Sequence, residues 1–264
     1  MDSRPIGVYD SGVGGIVVLS EIIKILPNED FIYLGDTARF PYGTKSKENI
    51  IKYTKESIKF LIDKNVKAIV IACGTASTVL PEVLKTTYNI PIIGVLEPTI
   101  ASIDDKTKKI GIIATSRTIT SKAWDIMLID KYPNLEIISN ACPILASLAE
   151  TGWIDNEIAK LTIWEYLKPF KKSNISELIL GCTHYPLFKN LIKEELPNVK
   201  LIDIGEKTAI YLRNTLEENN LLNNQSTASK YNFNLTDMDD NYLNMINNLL
   251  NEKNKNLSVE KVEL

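Results

Sequence analysis

Short apolar runs rich in β-branched residues alternate along the chain with longer segments whose apolar positions recur every three or four residues. The short runs read as buried strands: PIGVYD (5–10), DFIYLGD (30–36), KAIVIA (67–72) and IPIIGV (90–95), then KIGIIAT (109–115), LEIISNACP (135–143), ELILG (177–181) and KLIDIG (200–205). Between the loop RFPYGTKS and the third run, SKENIIKYTKESIKFLIDKN (46–65) predicts a helix with Ile50, Ile51, Thr54, Ile58, Leu61 and Ile62 on one face. IVVLSEIIKIL (16–26), SKAWDIMLIDK (121–131) and residues 155–170 predict further helices. Strand and helix in alternation mark an α/β fold with mainly parallel sheets and crossover helices. The series restarts after residues 96–100, so two α/β units of about a hundred residues each are expected. The last fifty residues are rich in Asn; YNFNLTD (231–237) is read there as a strand and NYLNMINNLL (241–250) as a helix. The Asn content itself reads as a solvated surface.

Composition narrows the function classes. A net charge of −3 and a pI near 5.5 leave no basic footprint for nucleic acid. No apolar run approaches the ~18–20 residues of a membrane span, and MDSRPIGVYDSG shows neither the basic start nor the apolar region of a secretion signal. A cytoplasmic protein is expected. Its three cysteines, Cys73, Cys142 and Cys182, are too few and too far apart for a disulfide framework or a zinc site, and should be free thiols.

Three stretches carry candidate chemistry. DSGVGG (10–15) joins the first strand to a helix, and such a glycine turn presents backbone N–H groups to an anion. Its spacing matches neither the dinucleotide nor the Walker pattern, so a carboxylate fits as well as a phosphate. KAIVIACGTAST and LILGCTHYP share one outline: an apolar strand, a Cys, then a Thr. Each Cys sits at the carboxyl end of a parallel strand, where open α/β sheets bind ligands. A helix start behind each would lower its thiol pKa from the unperturbed ~8.5. Two such thiols, one per unit, point to a facing pair across a cleft. Such a pair suits proton removal from one face of a carbon and return to the other, since thiol pKa values can be tuned toward neutrality. His184, the only histidine, lies two residues after Cys182 and is placed to assist it; Asp10 could do the same for Cys73 or hold an ammonium group. Cys142 has no such company and reads as a packing residue. A non-catalytic binder of acidic amino acids is the competing reading.

At these residues the chain resembles the cofactor-independent aspartate/glutamate racemases, and glutamate racemases in particular. The likeness is carried by DSGVGG, GDTARFPYG (35–43), ACGTAS (72–77), EPT (97–99) and GCTHYPL (181–187), in that order and over almost the whole chain. The resemblance implies two pseudo-symmetric α/β domains with the site in the cleft between them: 1–96 with about 207–264, and about 97–206. It implies interconversion of L- and D-glutamate for peptidoglycan without a cofactor or metal, in a homodimer with no nucleic-acid or membrane partner. Cys73 and Cys182 become the acid/base pair, Cys182 abstracting from the L- and Cys73 from the D-enantiomer. Asp10 and His184 assist them, and Glu150 in CPILASLAETG matches a carboxylate near the second Cys. Substrate contacts fall to Asp10, Ser11, Tyr42, Gly43, Gly74, Thr75, Thr183 and His184. One departure stands out: the family commonly reads CNT where this chain reads CGT, so Gly74 brings no amide side chain. Aspartate or a hydantoin stays open as the substrate on that account.

Overall fold

The computed structural model describes residues 2–85, 88–223, 229–250 and 256–264. Among the described residues, ten strands form two sheets. β1 (Ile6–Asp10), β2 (Phe31–Gly35), β3 (Ala68–Ile71), β4 (Ile92–Gly94), β9 (Tyr231–Leu235) and β10 (Leu257–Lys261) make a six-stranded sheet in the order β10-β9-β2-β1-β3-β4. β5 (Lys109–Ala114), β6 (Glu136–Ala141), β7 (Glu177–Leu180) and β8 (Lys200–Asp203) make a four-stranded sheet in the order β6-β5-β7-β8. Every pairing among the described strands is parallel. The expected α/β class and parallel sheets are therefore present.

The strands read as continuous apolar runs because both faces of each sheet are covered. Along β3, Ala68 and Val70 enter one core while Ile69 and Ile71 enter the other. Along β7, Leu178 and Leu180 face one core and Ile179 the opposite one. Helices supply the outer layers. α1 (Gly15–Ile25) and the helix Ile204–Glu218 cover one face of the larger sheet with Ile16, Leu19, Ile22, Ala209, Leu212 and Leu216. α2 (Lys47–Asp63) covers the other; Ser46 caps it by accepting the Asn49 N–H at 3.3 Å. Its buried stripe is Ile50, Thr54, Ser57, Ile58 and Leu61. Ile62, assigned to that face from periodicity, is 38% exposed, because the stripe closes on Ser57 instead.

Three elements differ from expectation. The helix read over 121–131 runs from Ala123 to Lys131, and a separate helix, Ser116–Ser121, precedes it, the two broken where Lys122 takes a left-handed φ of 59°. The helix read over 155–170 runs from Glu157 to Leu167, capped by Asn156. LSVEK, whose pattern predicts no strand, forms β10, the edge of the larger sheet, parallel to β9. Its half-exposed alternation carries little apolar signal.

Candidate active site

In each sheet successive crossovers from one strand leave in opposite directions. From β1 the chain crosses to β2 on one side and later to β3 on the other; from β5 it crosses to β6 and then to β7. Crevices open at such switch points, outside the carboxyl ends of the strands. The register makes the two places equivalent. Tyr9 pairs with Ile71 and Ile113 with Leu180, while Ala72 N–H donates to Tyr9 O and Gly181 N–H to Ile113 O, both at 2.8 Å. Two residues past Ile71 lies Cys73, and two past Leu180 lies Cys182. The two thiols occupy matched positions in the two sheets.

Around Cys182 the side chains form a relay. His184 Nδ1 lies 3.7 Å from Cys182 Sγ and 3.4 Å from Thr183 Oγ1, and its Nε2 lies 3.1 Å from Glu150 Oε1. Glu150 is the last residue of the helix Ile144–Glu150 and reaches across to the first turn, where Val13 N–H donates to the same Oε1 at 3.5 Å. The glycine turn thus faces a carboxylate, that of Glu150. Its glycines make the approach possible: a Cβ on Gly12 would stand 2.6 Å from Glu150 Oε1, and one on Gly14 would stand 2.4 Å from the His184 ring. Phe40 flanks the imidazole, ring centroids 5.9 Å apart.

Around Cys73 the contacts differ. Cys73 is the N-cap of α3 (Gly74–Ser77); its Sγ accepts the Ala76 N–H at 3.4 Å and its S–H donates to Ser11 Oγ at 3.5 Å. Asp10 ends β1 and is buried; Gly12 N–H donates to its Oδ2 at 3.0 Å, while Oδ1 has no partner among the described residues. Thr75 Oγ1 joins Thr115 and Thr118 in a cluster of three hydroxyls spaced 2.9–3.1 Å. Tyr42 is buried in the core behind the site, donating to Asp36 and accepting from Tyr9 at 2.7 Å. Gly43 lies against Thr115, which a Cβ would approach to 2.8 Å.

Electrostatics separate the two thiols. Burial pushes the Cys73 thiol up to about 12, and the Asp10 carboxylate adds to the shift. The single N–H bond from α3 is too weak to reverse this, so the lowering expected at Cys73 is not what the structure has. Behind Cys182 a 3-10 turn, Tyr185–Phe188, comes first, with His184 at its N-cap, and an α-helix starts only at Lys189. There the cation comes from the imidazole. Burial works against the charged ring, but hydrogen bonds to Cys182 and Glu150 outweigh it and bring His184 up to about 10. Burial also raises the Asp10 carboxyl, partly offset by His184 and the Gly12 N–H. Cys142 is fully buried in the core cluster that also holds Cys182, with Sγ 3.8 Å from Asn140 O. Among the described residues no cluster of His, Cys, Asp and Glu is arranged to hold a metal.

Thr115, Thr118, Asp36 and Arg39 escaped the sequence reading as supporting residues. Asp36 and Arg39 lie within GDTARFPYG, which offered a signal; Arg39 Nε donates to Asp36 Oδ2 at 2.6 Å behind Tyr42. Thr115 and Thr118 have no motif of their own.

Two parallel sheets presenting matched cysteines, with acids and one histidine between them, define a class: an α/β enzyme whose candidate site is built on paired thiols. The chain belongs to the Asp/Glu/Hydantoin racemase family, which its residues 18–209 match; it is an isomerase. A glutamate racemase of Geobacter metallireducens is 41% identical over 256 residues, 96% of this chain and 95% of its own length. Among solved structures, a glutamate racemase of Francisella tularensis in complex with D-glutamate superposes with a TM-score of 0.92 at 41% identity, covering 98% of both chains. A glutamate racemase isoform of Bacillus anthracis gives 0.93 at 37%, covering 100% of this chain and 99% of its own.

Proposed function

We propose that this protein interconverts L- and D-glutamate by proton transfer at the α-carbon, with Cys182 and Cys73 on opposite faces. The observation that carries the reading is the matched placement of the two thiols, each two residues past a register-equivalent strand position. With L-glutamate bound, the Cys182 thiolate, held beside the His184 imidazolium, takes the α-proton. The Cys73 thiol, kept protonated by its burial, gives a proton to the other face. D-Glutamate leaves, and the two sulfurs have exchanged protonation states; the reverse reaction uses them in the opposite roles. Asp10 and His184 support the thiols, and Glu150 holds the imidazole charged.

The α-proton is far less acidic than a thiol, so the carbanion has to be stabilised by positioning and by donors aimed at the substrate carboxylates. Ser11, Gly43, Gly74, Thr75 and Thr183 are assigned to this work, together with Tyr42, Asp10 and His184. No cofactor takes part in this reading. The two sheets correspond in it to two domains, 1–96 with about 207–264 and about 97–206, with substrate between them. D-Glutamate from such an enzyme would feed peptidoglycan synthesis in the cytoplasm, and the working unit is assigned as a homodimer.

The test is direct. Purified protein with L-glutamate in deuterated water, without added cofactor, is followed by optical rotation and by the α-proton signal, with L-aspartate run alongside. Rotation should decay to zero for glutamate as deuterium enters the α-carbon. Constant rotation with glutamate would overturn the reading, and a faster loss with aspartate would reassign the substrate.

A further inference from the structure

The larger sheet sends a loop, residues 36–44, across to the smaller one. The loop leaves the carboxyl end of β2 and carries three residues toward the candidate site. Phe40 flanks the His184 imidazole, ring centroids 5.9 Å apart; Tyr42 is buried; Gly43 backs onto Thr115, which a Cβ there would approach to 2.8 Å. His184 follows β7 and Thr115 follows β5, so the far end of the loop lies against the four-stranded unit. Of regular structure the loop has only two short 3-10 turns, Thr37–Arg39 and Tyr42–Thr44. Its position therefore depends on what holds its foot.

The foot is held by the C-terminal part of the chain. β9 lies beside β2 with Gly35 opposite Leu235, so Asp36 and Thr236 leave the sheet side by side. The ladder continues one bond further, from Thr236 N–H to Gly35 O at 3.0 Å. Thr236 Oγ1 then donates to Asp36 Oδ1 at 3.0 Å and accepts the Ala38 N–H at 2.9 Å. Next to it, Thr37 Oγ1 donates to Asp237 O at 2.6 Å and accepts the Asp237 N–H at 2.7 Å. The end of β9 thus clasps Asp36, Thr37 and Ala38 together.

Asp36 passes this hold on to the rest of the loop. Its carboxylate is wholly buried, and a buried carboxylate needs its donors. Oδ2 accepts from Arg39 Nε at 2.6 Å and from the Tyr42 hydroxyl. Arg39 and Tyr42 are members of the loop; among the described residues, Thr236 is the side-chain donor that reaches Asp36 from outside it. One carboxylate gathers the loop, and one hydroxyl ties that carboxylate to the sheet.

We propose that Thr236 is a positioning residue of the candidate site. Acting through Asp36 and Ala38, it fixes the loop that brings Tyr42 and Gly43 to the substrate and Phe40 to His184. The C-terminal strand thereby becomes part of the active-site framework. This deepens the glutamate reading above and rests on it. The two thiols stand on other turns, after β3 and β7, so loosening the loop costs binding before it costs chemistry.

The experiment compares wild type with Thr236→Val, Thr236→Ser and Thr37→Val, measuring kcat and KM for both enantiomers, the thermal midpoint, and amide hydrogen exchange over residues 36–44. Valine keeps the shape at 236 but takes the hydroxyl from Asp36 and Ala38; serine keeps the hydroxyl. In Thr236→Val, KM should rise roughly 10-fold for both enantiomers while kcat stays within about threefold of wild type. Exchange should quicken across the loop. Thr236→Ser should return KM to within about twofold of wild type. Thr37→Val undoes the other half of the clasp, leaves Asp36 paired, and should raise KM as well. A folded Thr236→Val with wild-type KM overturns the proposal even if its midpoint falls, because the hydroxyl would then serve stability alone. A serine variant no better than valine overturns it too. If Thr236→Val does not fold, Thr37→Val decides by the same criterion: a raised KM supports the clasp, and a wild-type KM overturns it. A wild-type protein that does not racemise glutamate would instead fail the glutamate reading itself, before Thr236 is tested.

Discussion

His184 shows how one side chain takes its role from two neighbours. Unpaired, a buried imidazole would be neutral; between Cys182 and Glu150 it is held charged up to about pH 10. His184→Asn removes that charge and should lower kcat from L-glutamate about 10²-fold, with a smaller loss from D-glutamate. The ratio kcat/KM must stay equal in the two directions, because the enantiomers are equally stable, so the asymmetry appears in kcat and is matched in KM. Equal losses of kcat would detach His184 from the Cys182 side. The same charge makes stability depend on pH. The folded protein holds the His184 proton more tightly than the unfolded chain, whose histidine titrates near 6.5, so this stabilisation is whole below 6.5 and is lost as pH rises toward about 10. Thermal midpoints measured across that window should fall for wild type and fall less for His184→Asn. Cys73→Ala and Cys182→Ala should each abolish racemisation while the circular dichroism melt stays cooperative; full activity in either would end the two-base mechanism.

At the level of elements, each thiol is placed by a strand and held by the turn or helix behind it. β3 leads into Cys73, and α3 caps on the sulfur itself; β7 leads into Cys182, and the 3-10 turn behind it delivers His184 instead. Similar sequence outlines therefore give two unlike environments, one dominated by burial and one by an ion pair. The opposite ends of the strands are secured differently. At the start of β3, the fully buried Lys67 pairs with the buried Glu29 at 2.5 Å, and its Nζ also donates to Asp2 O at 2.7 Å. Removing one partner of a buried pair strands the other charge. Lys67→Met should cost about 3–5 kcal/mol in urea unfolding, and Glu29→Gln added to it should recover part of the loss. A cost below about 1 kcal/mol would show that solvent reaches the pair.

On the scale of the molecule, the candidate site forms where two sheets bring their switch points together. Residues from both supply it: Asp10, Ser11 and Cys73 from the six-stranded sheet, Glu150, Cys182 and His184 from the four-stranded one or its helices. A ligand in such a place ties the two together and stabilises the folded state. Glutamate at about one hundred times its Kd should add about 2.7 kcal/mol and raise the midpoint. An unchanged midpoint at saturating substrate would mean that glutamate binds elsewhere or not at all.

Much of this was legible in the chain. Buried parallel strands are nearly pure runs of Ile, Val and Leu, so eight strands and the cysteine at the end of two of them could be read directly. The strand 231–235 and the helix 240–250 could also be read, despite their asparagines. β10 could not, since an exposed edge strand needs little apolar content. Neither could the break at Lys122, which rests on one backbone angle. Residue type and spacing determined the fold class, the parallel sheets, the two thiols and the histidine beside one of them. Tertiary structure decided what those groups are. It buried Cys73 against Asp10, so that its thiol pKa rose where a helix start alone would have lowered it. It carried Glu150 from another helix to charge His184. Those effects depend on distances between residues far apart in the chain, and the energy of a charge or a contact is set by such distances, not by the order of the letters.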